Sequence, residues 1–403
     1  MSEVIFKKNE PLPKGWKFST FENITKNHDG KRIPVSAKLR KGMKGKYPYY
    51  GASGIIDHVD RPLFKGKYLL IGEDGANLLS RTTPIAFIVN GDFWVNNHAH
   101  ILTTLADIPL EFLSYFINSI NLSTWISGTA QPKLNQTNMN KIPVPIPPLN
   151  EQKRIVNKIN DIFLELDNLK KILKKIKLQS EQQIQSLLKS TFENKDWKNV
   201  RLGDYLTLEY GKGLSKKDRN NGSIPVYGSS GIVGYHDKIL VKNPSLIIGR
   251  KGNAGNIMFS KQSFWAIDTT YFLKETKDYD LKFLYHLFKY LDFGKLDSST
   301  AIPSLRRDDV YAQNIPLPEI EKQKEIVLQI EERFFFIKNN ENIVNLILKQ
   351  VDTLRSSVLK QAFEGKLIPQ DPNDESAEII LQKIKLEKKL LIQKSSREKK
   401  NVK

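Results

Sequence analysis

The chain repeats itself at a fixed offset of 171 residues. Gly128-Thr129-Ala130-Gln131-Pro132-Lys133-Leu134 answers to Ser299-Thr300-Ala301-Ile302-Pro303-Ser304-Leu305. Val144-Pro145-Ile146-Pro147 answers to Ile315-Pro316-Leu317-Pro318, and Leu188-Lys189-Ser190-Thr191-Phe192 to Leu359-Lys360-Gln361-Ala362-Phe363. Two copies of so long a period exclude a solenoid of short units. They imply a duplicated module, each copy a globular part followed by a helix. A duplicated module that reads something reads two things.

Residues 11–145 and 197–318 share a texture of glycine, proline, aromatics and short β-branched runs. Tyr68–Gly72, Pro84–Gly91, Ser245–Gly249 and Phe264–Ile267 read as short strands, Leu110–Ile120 and Leu281–Tyr290 as helices. Each globular part is therefore mixed, and the fold class is α+β. Each ends in a proline ladder (Pro143, Pro145, Pro147 and Pro148; Pro316 and Pro318) that enforces an extended path. Asn150 is then the expected N-cap of a long helix.

That first helix carries Ile155, Ile159, Ile162, Leu166, Leu169, Leu173 and Ile176, alternating four and three residues apart. This is a heptad seam. The second helix keeps the frame with Ile326, Ile330, Ile337, Val344, Ile347, Val351, Leu354 and Val358, interrupted by Arg333 and Asn340. Helix one leads from the first globular part to the second, and helix two starts beside the second. Pairing over their length therefore makes them antiparallel, a rod on the order of 55 Å. The expected layout is a first domain over 1–149, a spacer helix over 150–195, a second domain over 196–320, a second spacer helix over 321–366, and a basic tail over 367–403. The tail has Ile379, Ile380, Ile384, Leu390 and Leu391 among nine basic residues after position 380; it could dock on a partner or brush nucleic acid, with partner docking slightly favoured, although such tails are more often partly frayed.

The net charge is +19, from 63 basic and 44 acidic residues, and favours a polyanionic partner. Lysine-rich composition alone could produce the same number. There are no cysteines, which excludes disulfides and thiol chemistry. No apolar run reaches the roughly 18 residues of a membrane span, and no signal-like segment opens the sequence, so a cytoplasmic location without membrane contact is expected. Phosphate-loop, dinucleotide, zinc-protease and nucleophile-elbow motifs are missing, as is the Asn/Asp-Pro-Pro-Tyr/Phe tetrapeptide of amino-methyltransferases. His98 and His100, alternating on a strand, would share one face and could bind a metal, but no Cys or acidic neighbour in the sequence completes a site, so a half-buried strand or a DNA-facing polar loop is the stronger expectation. The expectation is no catalytic residue and no metal.

What remains is binding surface. Lys31, Arg32, Lys38, Arg40, Lys41, Lys44 and Lys46 form an acid-free run into Tyr47-Pro48-Tyr49-Tyr50-Gly51-Ala52-Ser53. The second half offers Lys216, Lys217 and Arg219 before Tyr227-Gly228-Ser229-Ser230. Such mixtures suit phosphate contact and base-edge contact. Ile71-Gly72-Glu73-Asp74-Gly75 and Ile248-Gly249-Arg250-Lys251-Gly252 share a glycine frame, yet the tip changes from two acids to two bases. Arg250 and Lys251 are candidates for base contact, Asn253 for DNA contact, and Arg306 and Arg307 for phosphate contact. A coiled-coil scaffold whose basic surface serves a protein partner is the alternative. A nuclease would need metal-dependent cleavage by the chain alone.

The proline ladder running into Leu149-Asn150-Glu151-Gln152-Lys153-Arg154-Ile155-Val156, and Leu359-Lys360-Gln361-Ala362-Phe363-Glu364-Gly365-Lys366-Leu367 with Pro369-Gln370-Asp371-Pro372-Asn373-Asp374-Glu375, resemble specificity subunits of type I restriction–modification systems. The resemblance implies two target-recognition domains spaced by an antiparallel coiled coil with pseudo-twofold symmetry. It implies a non-catalytic subunit that reads a split, asymmetric double-stranded DNA sequence. It further implies two methyltransferase (M) subunits carrying S-adenosylmethionine, restriction (R) subunits using ATP and Mg, and no cofactor on this chain. The first copy departs from the pattern at Ser190, Thr191 and Asn194.

Overall fold

β-branched and aromatic runs form the strands of each half, and glycine-rich turns close them. A computed structural model describes residues 12–128, 130–193, 196–274, 279–297, 299 and 302–401, with side chains of the last helix described to Leu390 and at Gln393. Thr129, Thr300 and Ala301 of the repeated turn, Asn194, Lys195 and the Leu391 side chain lie outside the described residues. Helices of ten residues or more are numbered below.

The first half runs β1 (Lys17–Thr20), β2 (Thr25–Asn27), β3 (Tyr47–Gly51), β4 (Gly54–Val59), β5 (Phe64–Gly72), β6 (Ala86–Val95), β7 (Ala99–Thr104), α1 (Leu110–Ser119) and β8 (Pro143–Ile146). Six strands form one sheet in the order β2-β7-β5-β6-β3-β4. β6 is long enough to pair antiparallel with β5 and then parallel with β3, at Trp94 and Val95. The first proline ladder, β8, pairs antiparallel with β1 in a separate ribbon, where missing N–H groups cost little.

The second half runs β9 (Asn199–Arg201), β10 (Leu208–Tyr210), β11 (Ile224–Gly228), β12 (Gly231–His236), β13 (Ser245–Gly249), β14 (Ile257–Ser260), β15 (Trp265–Ala266), β16 (Thr270–Leu273), α3 (Leu281–Leu291) and β17 (Asn314–Pro316). The hairpins β3–β4 and β11–β12 carry the same bulge, between Tyr49 and Tyr50 and between Val226 and Tyr227. The counterpart of β6 is broken into β14 and β15, so here the strands divide into a four-stranded and a three-stranded sheet.

The spacer helices are α2 (Leu149–Phe192) and α4 (Ile320–Phe363), each of 44 residues. α2 begins at Leu149, so Asn150 lies inside the first turn and does not cap it. The chain divides into two compact units, residues 1–172 with 347–403 and residues 173–346, and both spacer helices contribute to each. Ile155, Val156 and Ile159 of α2 join the core of the first unit together with Val358, Leu359, Ala362 and Phe363 of α4. Leu188 and Phe192 of α2 join the core of the second together with Ile326, Val327 and Ile330 of α4. Phe363 meets the edges of Phe112 and Phe116 with ring centroids 5.2 Å apart, and Phe192 meets Phe283 at 5.5 Å. The start of each helix thus lies with the end of the other, which is the antiparallel coiled coil.

Between these anchors the seam is thinner than its sequence suggests. Leu166, Leu173 and Ser180 of α2, and Ile330, Val344, Val351 and Val358 of α4, are buried at multiples of seven residues. The alternate positions Leu169 and Ile176 are 37% exposed and Leu354 is 48% exposed. A helix pair covers only a narrow stripe, so side chains at its margin stay partly exposed. Arg333 and Asn340 are exposed and stand in the same heptad phase as Ile326, Ile347 and Leu354, interrupting the apolar series there.

α5 (Ala377–Asn401) corrects a second expectation. Its first turns pack within the first unit. The Ala377 N–H donates to the Gly15 carbonyl at 2.9 Å, Ile380 and Ile384 are buried in the first core, and the Ala106 N–H donates to Glu387 at 2.9 Å. Gly365 makes the turn possible: its φ is +68°, and a Cβ there would lie 2.4 Å from Pro13. Among the described residues no helix is long and apolar enough to cross a membrane.

Candidate nucleic-acid interface

Four chain segments meet at one end of each sheet. In the first domain they are the turn after β3, Gly72–Gly75 after β5, Asn96–His98 before β7, and Pro132–Leu134. Backbone hydrogen bonds lock them: Glu73 N–H to His98 O at 2.8 Å, Gly75 N–H to Pro132 O at 3.1 Å, Leu134 N–H to Glu73 O at 2.7 Å and Asn96 N–H to Tyr50 O at 3.0 Å. The second domain repeats the scheme: Arg250 N–H to Thr269 O at 2.8 Å, Gly252 N–H to Pro303 O at 2.9 Å, Leu305 N–H to Arg250 O at 2.8 Å and Ile267 N–H to Tyr227 O at 3.0 Å. Gly72 and Gly249 are required by this crowding, since a Cβ would stand 2.8 Å from Ala52 O or 2.1 Å from Asn253 O. A strand side chain braces each cradle from below. His100 Nε2 meets the Leu134 carbonyl at 2.7 Å, and the Tyr271 hydroxyl donates to the Leu305 carbonyl at 3.1 Å.

The backbone frame is shared and the chemistry is not. In the first domain Glu73 is buried and pairs with Arg32 at 2.8 Å and Lys133 at 3.2 Å. Asp29 accepts from His100 Nδ1 at 2.6 Å and from the Ile101 N–H at 2.9 Å. Burial alone would raise the Asp29 carboxyl, but the His100 contact and the backbone donor hold it below its ordinary value. Asp29, Glu73 and His100 sit close enough to hold a metal ion. Arg32 already supplies the cation there, and both His100 nitrogens face acceptors, so the cluster is a closed ionic network. In the second domain the Arg250 guanidinium lies over the Tyr210 ring at 5.1 Å and donates to the Asp268 carbonyl at 2.8 Å. Arg307 covers Tyr210 from 5.3 Å and Tyr311 from 5.7 Å. Burial and the adjacent Tyr210 push the Tyr271 hydroxyl up to about 12.

The sequence candidates separate into two groups. Lys31, Lys41, Lys44, Lys46, Ser53, Lys216, Lys217, Ser230, Lys251, Asn253 and Arg306 are exposed. Ser229, Arg250, Lys251 and Asn253 share the second cradle, where Asn253 N–H donates to Ser229 Oγ at 3.4 Å. Lys46 and Ser53 stand at opposite ends of β3, roughly 17 Å apart by strand rise. Others are framework. Tyr49 is fully buried, with its hydroxyl accepting from the Val35 N–H at 3.0 Å. Arg40 binds Asp57 at 2.8 Å, Arg219 donates to Val233 O at 2.6 Å, and Tyr50 and Tyr227 pack on Phe93 and Phe264. Arg32 and Arg307 brace the cradles from within. The expected common face of His98 and His100 does not form: His98 lies in the loop with its side chain 47% exposed, and His100 lies on β7 at 1%. The braces Asp29, Tyr210 and Tyr271 carried no local sequence signal, because their partners lie tens of residues away.

Residues 13–178 and 194–348 match the sequence profile of the type I restriction modification DNA specificity domain. The chain belongs to that family. A candidate type I restriction enzyme specificity subunit of Haemophilus influenzae is 28% identical over 339 residues, covering 77% of this chain and 85% of the relative. The type I restriction enzyme EcoKI specificity subunit of Escherichia coli is 24% identical over 331 residues, covering 69% and 71%. Among solved structures, a chain from work on complex assembly and conformational transition of the type I R-M system superposes with a TM-score of 0.72 at 16% identity, over 89% of this chain and all of that one. The HsdS subunit of Thermoanaerobacter tengcongensis superposes with a TM-score of 0.57 at 15% identity, over 90% of this chain and all of that one. These two share the fold. As a type I specificity subunit, the chain is a recognition component and not a catalytic one.

Proposed function

We propose that this specificity subunit reads a bipartite, asymmetric DNA sequence, one half with each domain, and that α2 and α4 set the unread gap. The observation that carries this reading is the repeated cradle. One backbone frame presents acid-held groups in the first domain and cations in the second, as expected of readers of unlike half-sites. Arg250 and Lys251 donate to acceptors such as guanine O6 and N7, while acceptors in the first cradle suit base amines. The exposed lysines and Arg306 contact phosphates, so affinity falls steeply with salt. Two methyltransferase subunits carrying S-adenosylmethionine bind this chain and methylate an adenine flipped from the duplex. Restriction subunits using ATP and Mg complete the complex, in the cytoplasm, and this chain itself holds no cofactor.

Methylation-resolved sequencing of host DNA with and without the gene tests the reading. Loss of adenine methylation at one split motif with unlike halves and a constant gap is the expected result. An unchanged methylome in cells that express the methyltransferase partner would overturn it.

A further inference from the structure

In the first cradle the acids are already engaged. Glu73 is paired with Arg32 and Lys133. Asp74 places its carboxylate oxygens 2.8 and 2.9 Å from His98 Nδ1. The Asp74 side chain is only 16% exposed, whereas the His98 ring it holds is 47% exposed. His98 is fixed at its backbone too: its N–H donates to Asn96 Oδ1 at 2.8 Å and its carbonyl accepts from the Glu73 N–H. Among the described residues His98 Nε2 has no partner. Holding an exposed ring in one orientation costs conformational entropy without gaining burial. The equivalent position in the second domain is Thr269, so the pair is particular to the first.

We propose that His98 is a specificity-determining residue of the first domain and that Asp74 positions it. With the Nδ1 proton directed at Asp74, Nε2 presents a lone pair, which accepts from an exocyclic amine, adenine N6 or cytosine N4, in the major groove. This rests on the two-reader function proposed above.

The test is the methylome of host cells carrying wild-type, His98→Ala, His98→Gln or Asp74→Ala genes beside the partner subunits. His98→Ala makes one position of the first half-site degenerate, with discrimination there falling roughly 5- to 150-fold, and leaves the second half-site and the gap intact. His98→Gln, whose amide oxygen also accepts, retains part of the preference. Asp74→Ala relaxes the same position. An unchanged motif in His98→Ala, or uniformly weaker methylation without degeneracy, overturns the assignment while the two-reader function stands. A wild-type complex that methylates no split motif overturns both.

Discussion

Arg250 and Arg306 lie close together in the chain's second cradle but have different surroundings, and they should fail differently. Arg250→Ala removes a stacked, oriented donor, and is expected to relax one position of the second half-site by about 1–3 kcal/mol. Arg306→Ala removes an exposed cation, and is expected to weaken all sequences alike and flatten the salt dependence of binding. Competition binding against single-base variants at two salt concentrations separates the two. His286, on α3, is buried against Phe334 and Tyr285, with its Nδ1 unpartnered among the described residues. Burial pushes its pKa down to about 4. The unfolded chain then binds the extra proton first, so stability is full above pH 6.5 and falls as pH drops toward 4, by on the order of 3 kcal/mol. Unfolding curves between pH 7 and 4 should show this slope, and His286→Tyr, which copies Tyr115 at the equivalent position of the first domain, should remove it. Single-residue roles were the least readable part of the sequence. Arg32, Arg40 and Tyr49 looked like contact residues because a charge run beside tyrosines has one local appearance whether it faces DNA or not. The deciding partners, Glu73, Asp57 and the Val35 backbone, are brought in by the fold.

The spacer helices and a minority of the strands were readable because their signals are local. Ser245–Gly249 and α1 follow directly from apolar runs and period, and α2 and α4 follow from a heptad sustained over many turns. Seam depth was not readable, because heptad spacing marks which side chains face a partner helix but not how much of each one the partner covers. Leu169, Ile176 and Leu354 therefore keep their phase and lose their shielding. Inserting seven residues into each helix, after Leu173 in α2 and after Val344 in α4, preserves that phase. The expected outcome is a methylated motif with a longer gap and the same two halves. An unchanged gap in such a variant would remove the spacer role from the helices.

At the scale of the molecule, duplication explains why two domains with different sheets share one frame. The Tyr115–Phe163 edge contact at 5.7 Å recurs as His286–Phe334 at 5.3 Å. The repeat itself was visible in sequence, whereas the destination of the tail was not, since its apolar stripe fits any apolar groove. Deleting residues 376–403 should strip Ala377, Ile380 and Ile384 from the first core and cost that unit about 3–6 kcal/mol, leaving the second unit unchanged. Hydrogen exchange resolved along the chain would report each unit separately. The same arrangement orders events at the ribosome. Residues 173–346 form one uninterrupted unit and can fold as soon as they emerge. The first domain, although made earlier, waits for Phe363 and Ile384 before its core is whole, so the nascent protein holds a finished second reader while the first is still open.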